Sequence, residues 1–175
     1  MESLLVENNS NLVSTHSGLQ SLRNIHNLTF QNLPTLHSIV SFNALVTILG
    51  SITLQQLPSL TNISGFSLLT TLNQSVLFIN LPALTSFTGF NNLQYIGGSL
   101  IISYLSSIQS LDGLDALVSI NSSLIITDNL KVQQKKKKER KKQTNKKEGR
   151  KKENRKKESS KKKGRERKKK KEKNV

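Results

Sequence analysis

Apolar residues from Leu28 onward fall on a grid that repeats every 24 residues, with repeat starts at Leu28, Ile52, Val76, Leu100 and Leu124. With each start as position 0, positions 0 and 2 are apolar: Leu28/Phe30, Ile52/Leu54, Val76/Phe78, Leu100/Ile102 and Leu124/Ile126. A spacing of two in β-branched and aromatic residues predicts a short strand with one inward face. Past the strand the spacing becomes three, as in Leu33, Leu36, Ile39, Phe42, Leu45 and Ile48, or Leu57, Leu60, Ile63, Phe66, Leu69 and Leu72. Three fits neither a 3.6-residue helix nor a long strand. It predicts a chain that turns repeatedly around one axis and stacks each turn on the last, which is a solenoid.

The punctuation agrees with that reading. Proline recurs at position 6 (Pro34, Pro58, Pro82), where strand pairing should stop because proline donates no ladder hydrogen bond. Glycine recurs at position 13 (Gly65, Gly89, Gly113), and Gly97–Gly98 precedes the strand at Leu100; these are predicted corners. All six Phe occupy inward positions, and Phe42, Phe66 and Phe90 should stack as a column capped by Leu114. Residues 4–27 read as a first repeat with one extra residue between Leu12 and Gly18. A sixth repeat begins at Leu124 and stops at Val132, so the repeat domain spans 4–132.

Charge divides the chain in two. Residues 1–130 carry one Arg against five acids, net −4, and residues 131–175 carry 26 Lys or Arg against six Glu, net +20. The tail, 133–175, lacks apolar residues to bury and is expected to be disordered or helical. There is no cysteine, so disulfides and thiolate metal sites are excluded. The N-terminus shows no secretory signal and no run reaches 18 apolar residues. As written, the sequence reads as intracellular; a signal supplied by further termini would make it extracellular or cell-surface.

The segments LDGLDALVSINSSLIITDNL (111–130) and FTGFNNLQYIGGSLIISYL (87–105) resemble receptor L-domain repeats, whose running pattern is roughly L-x-G-L-x-x-L-x-x-I-x-G-x-L-x-I-x-x-N-x-x-L. Such repeats occur in growth-factor and insulin receptor ectodomains, fungal cell-wall glycoproteins and protist surface proteins. The resemblance covers residues 4–132. It implies a mainly β fold, a right-handed parallel β-solenoid akin to leucine-rich repeats, with about five 24-residue turns. It also implies a surface role through a protein or glycan ligand.

Candidate chemistry is sparse. His16, His26 and His37 occupy unrelated repeat positions, and Asp112, Asp115 and Asp128 match no calcium-loop spacing. No acid–base or nucleophile grouping is present, which points away from an enzyme and from a small-molecule substrate, and no cofactor is implied. Outward position 1 runs Thr29, Thr53, Leu77, Ile101, Ile125 and is the candidate partner-binding strand face. N-glycosylation sequons stand at Asn8, Asn27, Asn62, Asn73 and Asn121. The Asn and Ser/Thr content alone accounts for roughly three or four on the N-x-S/T rule. In the tail, Lys135, Lys136, Lys137, Lys138, Arg140, Lys141 and Lys142 form a candidate polyanion-binding patch without aromatic interleaving.

The first reading is a non-enzymatic recognition module of the cell-surface receptor type. A second is an intracellular repeat scaffold whose polybasic tail binds nucleic acid or anionic membrane. A third is a gene fragment without independent function, because a tract this rich in Lys, Glu, Arg and Gly is also what an A-rich or intronic sequence would encode.

Overall fold

The alternation at positions 0–3 forms a strand in every turn, and the spacing of three is made by tight turns whose two ends both point inward. Hydrogen bonds run from Leu36 N to Leu33 O and from Leu45 N to Phe42 O, and the same pair recurs as Leu60→Leu57 and Leu69→Phe66. A four-residue turn thus returns the chain to the core with an apolar side chain at each end. The computed structural model describes residues 3–16 and 18–129; the Lys/Arg patch at 135–142 lies outside the described residues.

In chain order the strands are β1 (Ser3–Glu7), β2 (Asn24–Ile25), β3 (Asn27–Gln31), β4 (Ser38–Ile39), β5 (Thr47–Ile48), β6 (Ile52–Gln55) and β7 (Asn62–Ile63). They continue as β8 (Thr71–Leu72), β9 (Val76–Ile79), β10 (Tyr95–Ile96), β11 (Leu100–Ser103), β12 (Ser119–Ile120) and β13 (Leu124–Thr127). The only helical element among the described residues is a 3₁₀ turn at Thr88–Phe90. The long strands form one six-stranded sheet in the order β1-β3-β6-β9-β11-β13, and the two-residue strands form a five-stranded sheet, β12-β10-β8-β5-β2, and a pair, β4-β7. Every pairing is parallel. The described residues are a parallel β-solenoid of about five turns, each of about 24 residues.

Register fixes the core. Leu28 pairs with Ile52, Ile52 with Val76, Val76 with Leu100 and Leu100 with Leu124, so each repeat position lies directly above itself. From Leu28 to Ile108 the buried apolar residues are those at positions 0, 2, 5, 8, 11, 14, 17 and 20. The Phe column forms as expected: Phe42–Phe66 and Phe66–Phe90 centroids lie 5.2 and 4.8 Å apart with planes 11° and 9° from parallel. These distances match the roughly 4.8 Å spacing of neighbouring strands. Phe78 joins the column against Phe90 and Phe87, and Phe30 meets Phe42 edge-on, so all six rings form one connected cluster. Leu114 at the next rung is buried.

The first turn carries the extra residue, and the register locates it. Ser14 still bridges Ser38, 24 residues on, whereas Ile25 pairs with Ile48, only 23 on. One residue fewer between Ile25 and Leu28 restores the frame before β3.

Glycine marks only some of the corners: Gly97–Gly98 form a bend and Gly113 a turn, as expected. Position 4, immediately after each long strand, is left-handed in every turn: Asn8, Asn32, Gln56, Asn80, Tyr104 and Asp128 have φ between 53° and 59°. Asn and Asp tolerate this region because their short polar side chains bond locally. Gly65 and Gly89 serve another need, since a Cβ would lie 2.8 Å from Phe42 N at the first and 2.7 Å from Ile63 O at the second. Among the position-13 glycines only Gly113 has a positive φ, 96°.

Two stability outcomes follow. Phe66→Ala removes the middle of the column and is expected to cost about 3–5 kcal/mol in urea unfolding; a loss below about 1 kcal/mol would show that the rings are not a packing spine. Asn32→Ala is expected to cost about 1–2 kcal/mol for its left-handed φ, and Asn32→Gly to recover most of that loss.

Candidate interaction surface

Outward side chains of the six-stranded sheet lie in columns, because register places the same repeat position on the same line. Thr29, Thr53, Leu77, Ile101 and Ile125 are paired neighbours in one column, as their shared position 1 requires. Leu5 extends it by pairing with Thr29. In the sequence Leu5 stands at position 1 of the irregular first repeat. Thr29, Thr53, Leu77 and Ile101 are half-buried between their neighbours, whereas Leu5 is 56% and Ile125 41% exposed.

The column one residue before position 0 is committed to structure. The Asn27 carboxamide oxygen accepts from Ser51 N at 2.9 Å, and the Ser51, Ser75 and Ser99 hydroxyls accept from Ser75 N, Ser99 N and Ser123 N at 3.0–3.3 Å. Each hydroxyl satisfies a backbone N–H of the adjoining turn at the strand entry. The Asn27 amide nitrogen donates to Ser3 Oγ at 3.3 Å. Asn27 is therefore half-buried and engaged at both amide atoms, whereas the other sequon residues, Asn8, Asn62, Asn73 and Asn121, are exposed.

Position 3 forms the second outward column, Glu7, Gln31, Gln55, Ile79, Ser103 and Thr127, of which Ser103 is buried. Positions 1 and 3 together change character along the axis. β3 and β6 present Thr and Gln, and β9 presents Leu77 and Ile79, followed by Ile101 and Ile125. No Asp, Glu, Lys or Arg occurs from residue 24 to residue 111. The middle of the face is thus free of charge, amide- and hydroxyl-rich at one end and aliphatic at the other.

The remaining candidates do not converge. His16, His26 and His37 are exposed on separate segments, and His37 Nδ1 lies 2.6 Å from Thr35 O. Asp115 accepts from Gly113 N at 3.2 Å and so closes a corner, and Asp128 occupies a left-handed corner. Among the described residues no three His, Asp or Glu side chains are grouped to hold a metal. Asn129 is buried, accepting from Leu105 N at 2.8 Å and donating to Ile102 O at 2.9 Å, which makes it a structural bridge. A cavity of about 310 Å³ is lined chiefly by Leu100, Leu111, Leu114, Leu117, Ile120 and Leu124. These are positions that form the core in earlier turns, and here they border space open to solvent beside exposed Leu124 and Val118, so this is uncovered core of the repeat rather than a built ligand site.

No described helix is long and apolar enough to cross a membrane. Comparison with family models, with curated proteins and with solved structures gives no significant match.

Leu77→Thr, which restores the residue type found in β3 and β6, is expected to change stability by less than about 1 kcal/mol in urea unfolding. A loss above about 3 kcal/mol would identify the column as core and remove it as a surface.

Proposed function

We propose that this chain is a non-enzymatic recognition module of the cell-surface receptor type, in the manner of receptor L-domain repeats. It binds a protein partner through the outer face of the six-stranded sheet. The observation that carries the reading is the uncharged, periodic face whose aliphatic end is built from Leu77, Ile79, Ile101 and Ile125. Uncharged apolar area bordered by polar columns is what partner surfaces offer, since burying it costs no charge desolvation. The parallel strands keep that face rigid, so little side-chain or loop ordering opposes association. A second reading has one observation in its favour: the net +20 of residues 131–175 supports attraction to nucleic acid or anionic membrane.

Labelled chain is expected to bind intact cells saturably, to lose that binding after surface proteolysis of the cells, and to retain it at elevated salt. Salt screens whatever the Lys/Arg tract contributes. Ile101→Lys should weaken binding by about tenfold or more at unchanged circular dichroism. Binding that is abolished by salt and indifferent to Ile101→Lys would transfer the function to the tract.

A further inference from the structure

At one edge of the sheet face, across β6, β9 and the corner after β11, lies an open cleft of about 340 Å³ lined by Gln55, Gln56, Ile79, Asn80 and Tyr104. Three of these residues, Gln56, Asn80 and Tyr104, occupy the left-handed corner of three successive turns. The cleft therefore spans two strand spacings, about 9.6 Å. Its volume is at the small end of ligand sites, which run roughly 300–1,000 Å³.

Two observations set these residues apart from their equivalents one turn earlier. Among the described residues, the Asn32 carboxamide donates to Asn8 Oδ1 at 3.1 Å and the Gln31 carboxamide donates to Glu7. The Gln55, Gln56 and Asn80 carboxamides make no such bond among the described residues. Gln56 and Asn80 are exposed on the corner line and Gln55 is half-buried one residue before it, so three amides, each able to donate and to accept, border the cleft without such a bond among the described residues. Tyr104 is the second observation. The other five corners hold Asn, Gln or Asp, and an aromatic residue at φ 59° costs backbone free energy. Tyr104 as a residue is 57% exposed and lies outside the buried core cluster, so core packing does not offset that cost. Strain retained without a packing return is a mark of function.

We infer that this cleft is a binding site for a neutral sugar, of mono- or disaccharide size, free or carried by a glycoprotein. The Tyr104 ring supplies an apolar platform with a polar tip for the C–H face of a pyranose. The Gln55, Gln56 and Asn80 amides supply paired donors and acceptors for its hydroxyls. The absence of charged residues from 24 to 111 leaves nothing in the cleft to select an ionic ligand. The cleft shares Ile79 with the aliphatic end of the sheet face, but the ring and amides that would hold a sugar lie outside that end, so free sugars test the site without a protein partner.

The test uses the full chain, saturation-transfer NMR and calorimetric titration, with lactose, maltose, cellobiose and N,N′-diacetylchitobiose as probes. Uncharged probes keep the Lys/Arg tract out of the measurement. A glycoprotein before and after enzymatic removal of its glycans tests the protein-borne source. At least one free or protein-borne sugar is expected to bind saturably. Tyr104→Phe should keep that affinity within about twofold and Tyr104→Asn should weaken it by about tenfold or more, which is ~1.4 kcal/mol. Asn suits the left-handed corner, so Tyr104→Asn removes the ring while preserving the fold. Gln31→Ala, whose amide is already engaged, should leave binding unchanged. Absence of binding by every probe at millimolar concentration, or a Tyr104→Asn protein that binds like the parent, overturns the assignment.

Discussion

In-register parallel stacking is the constraint from which the rest of this structure follows. Each turn donates backbone N–H groups to the carbonyls of the next, as in Leu28 N to Ser51 O, Ile52 N to Ser75 O and Val76 N to Ser99 O. A turn alone has no enclosed core; it becomes stable only when neighbours cover both its open faces. Because the paired residues lie 24 apart from Leu28 onward, a side chain at one repeat position meets the same position above and below. Nearly parallel stacking of Phe42, Phe66 and Phe90 is a direct result.

The same translation explains the chain's electrostatics. A charge written into a repeat position would be copied about 4.8 Å along the axis. Like charges directly opposite on paired strands repel. Neutral hydrogen-bonding side chains have no such penalty, and they can bond their own copies or the adjoining backbone. The Ser51–Ser75–Ser99–Ser123 relay and the Asn8–Asn32 pair are such solutions. In the described residues charge is confined to the first turn, at Glu7 and Arg23, and to the last, at Asp112, Asp115 and Asp128.

This division sorts the polar side chains by role. Asn27, Ser51, Ser75, Ser99 and Asn129 are spent on backbone groups that the stack would otherwise leave unpaired. Thr29, Thr53, Gln55, Gln56 and Asn80 are not spent in that way and remain on the outer face or its edge. On this scaffold the repeat is broken in composition but not in geometry at Leu77 and Ile101 after two Thr, and at Tyr104 after Asn and Gln. The periodic backbone presents these changes at fixed spacing.

The period, the inward positions, the Phe column and the extra residue of the first repeat were legible in the sequence, because a strict repeat lets spacing stand in for three-dimensional position. So was the membership of the column Thr29, Thr53, Leu77, Ile101, Ile125, since strand alternation sends position 1 outward. The left-handed corners were not read, because Gly and Pro drew attention to positions 13 and 6 while Asn, Gln, Tyr and Asp held the strained φ at position 4. That four of those six corners are Asn or Asp was the available signal. Only the tertiary structure decided which carboxamides are consumed and which stay open. Engagement depends on the partner one turn away and on distances of about 3 Å, and two Gln or Asn at equivalent repeat positions look alike until those partners are in place.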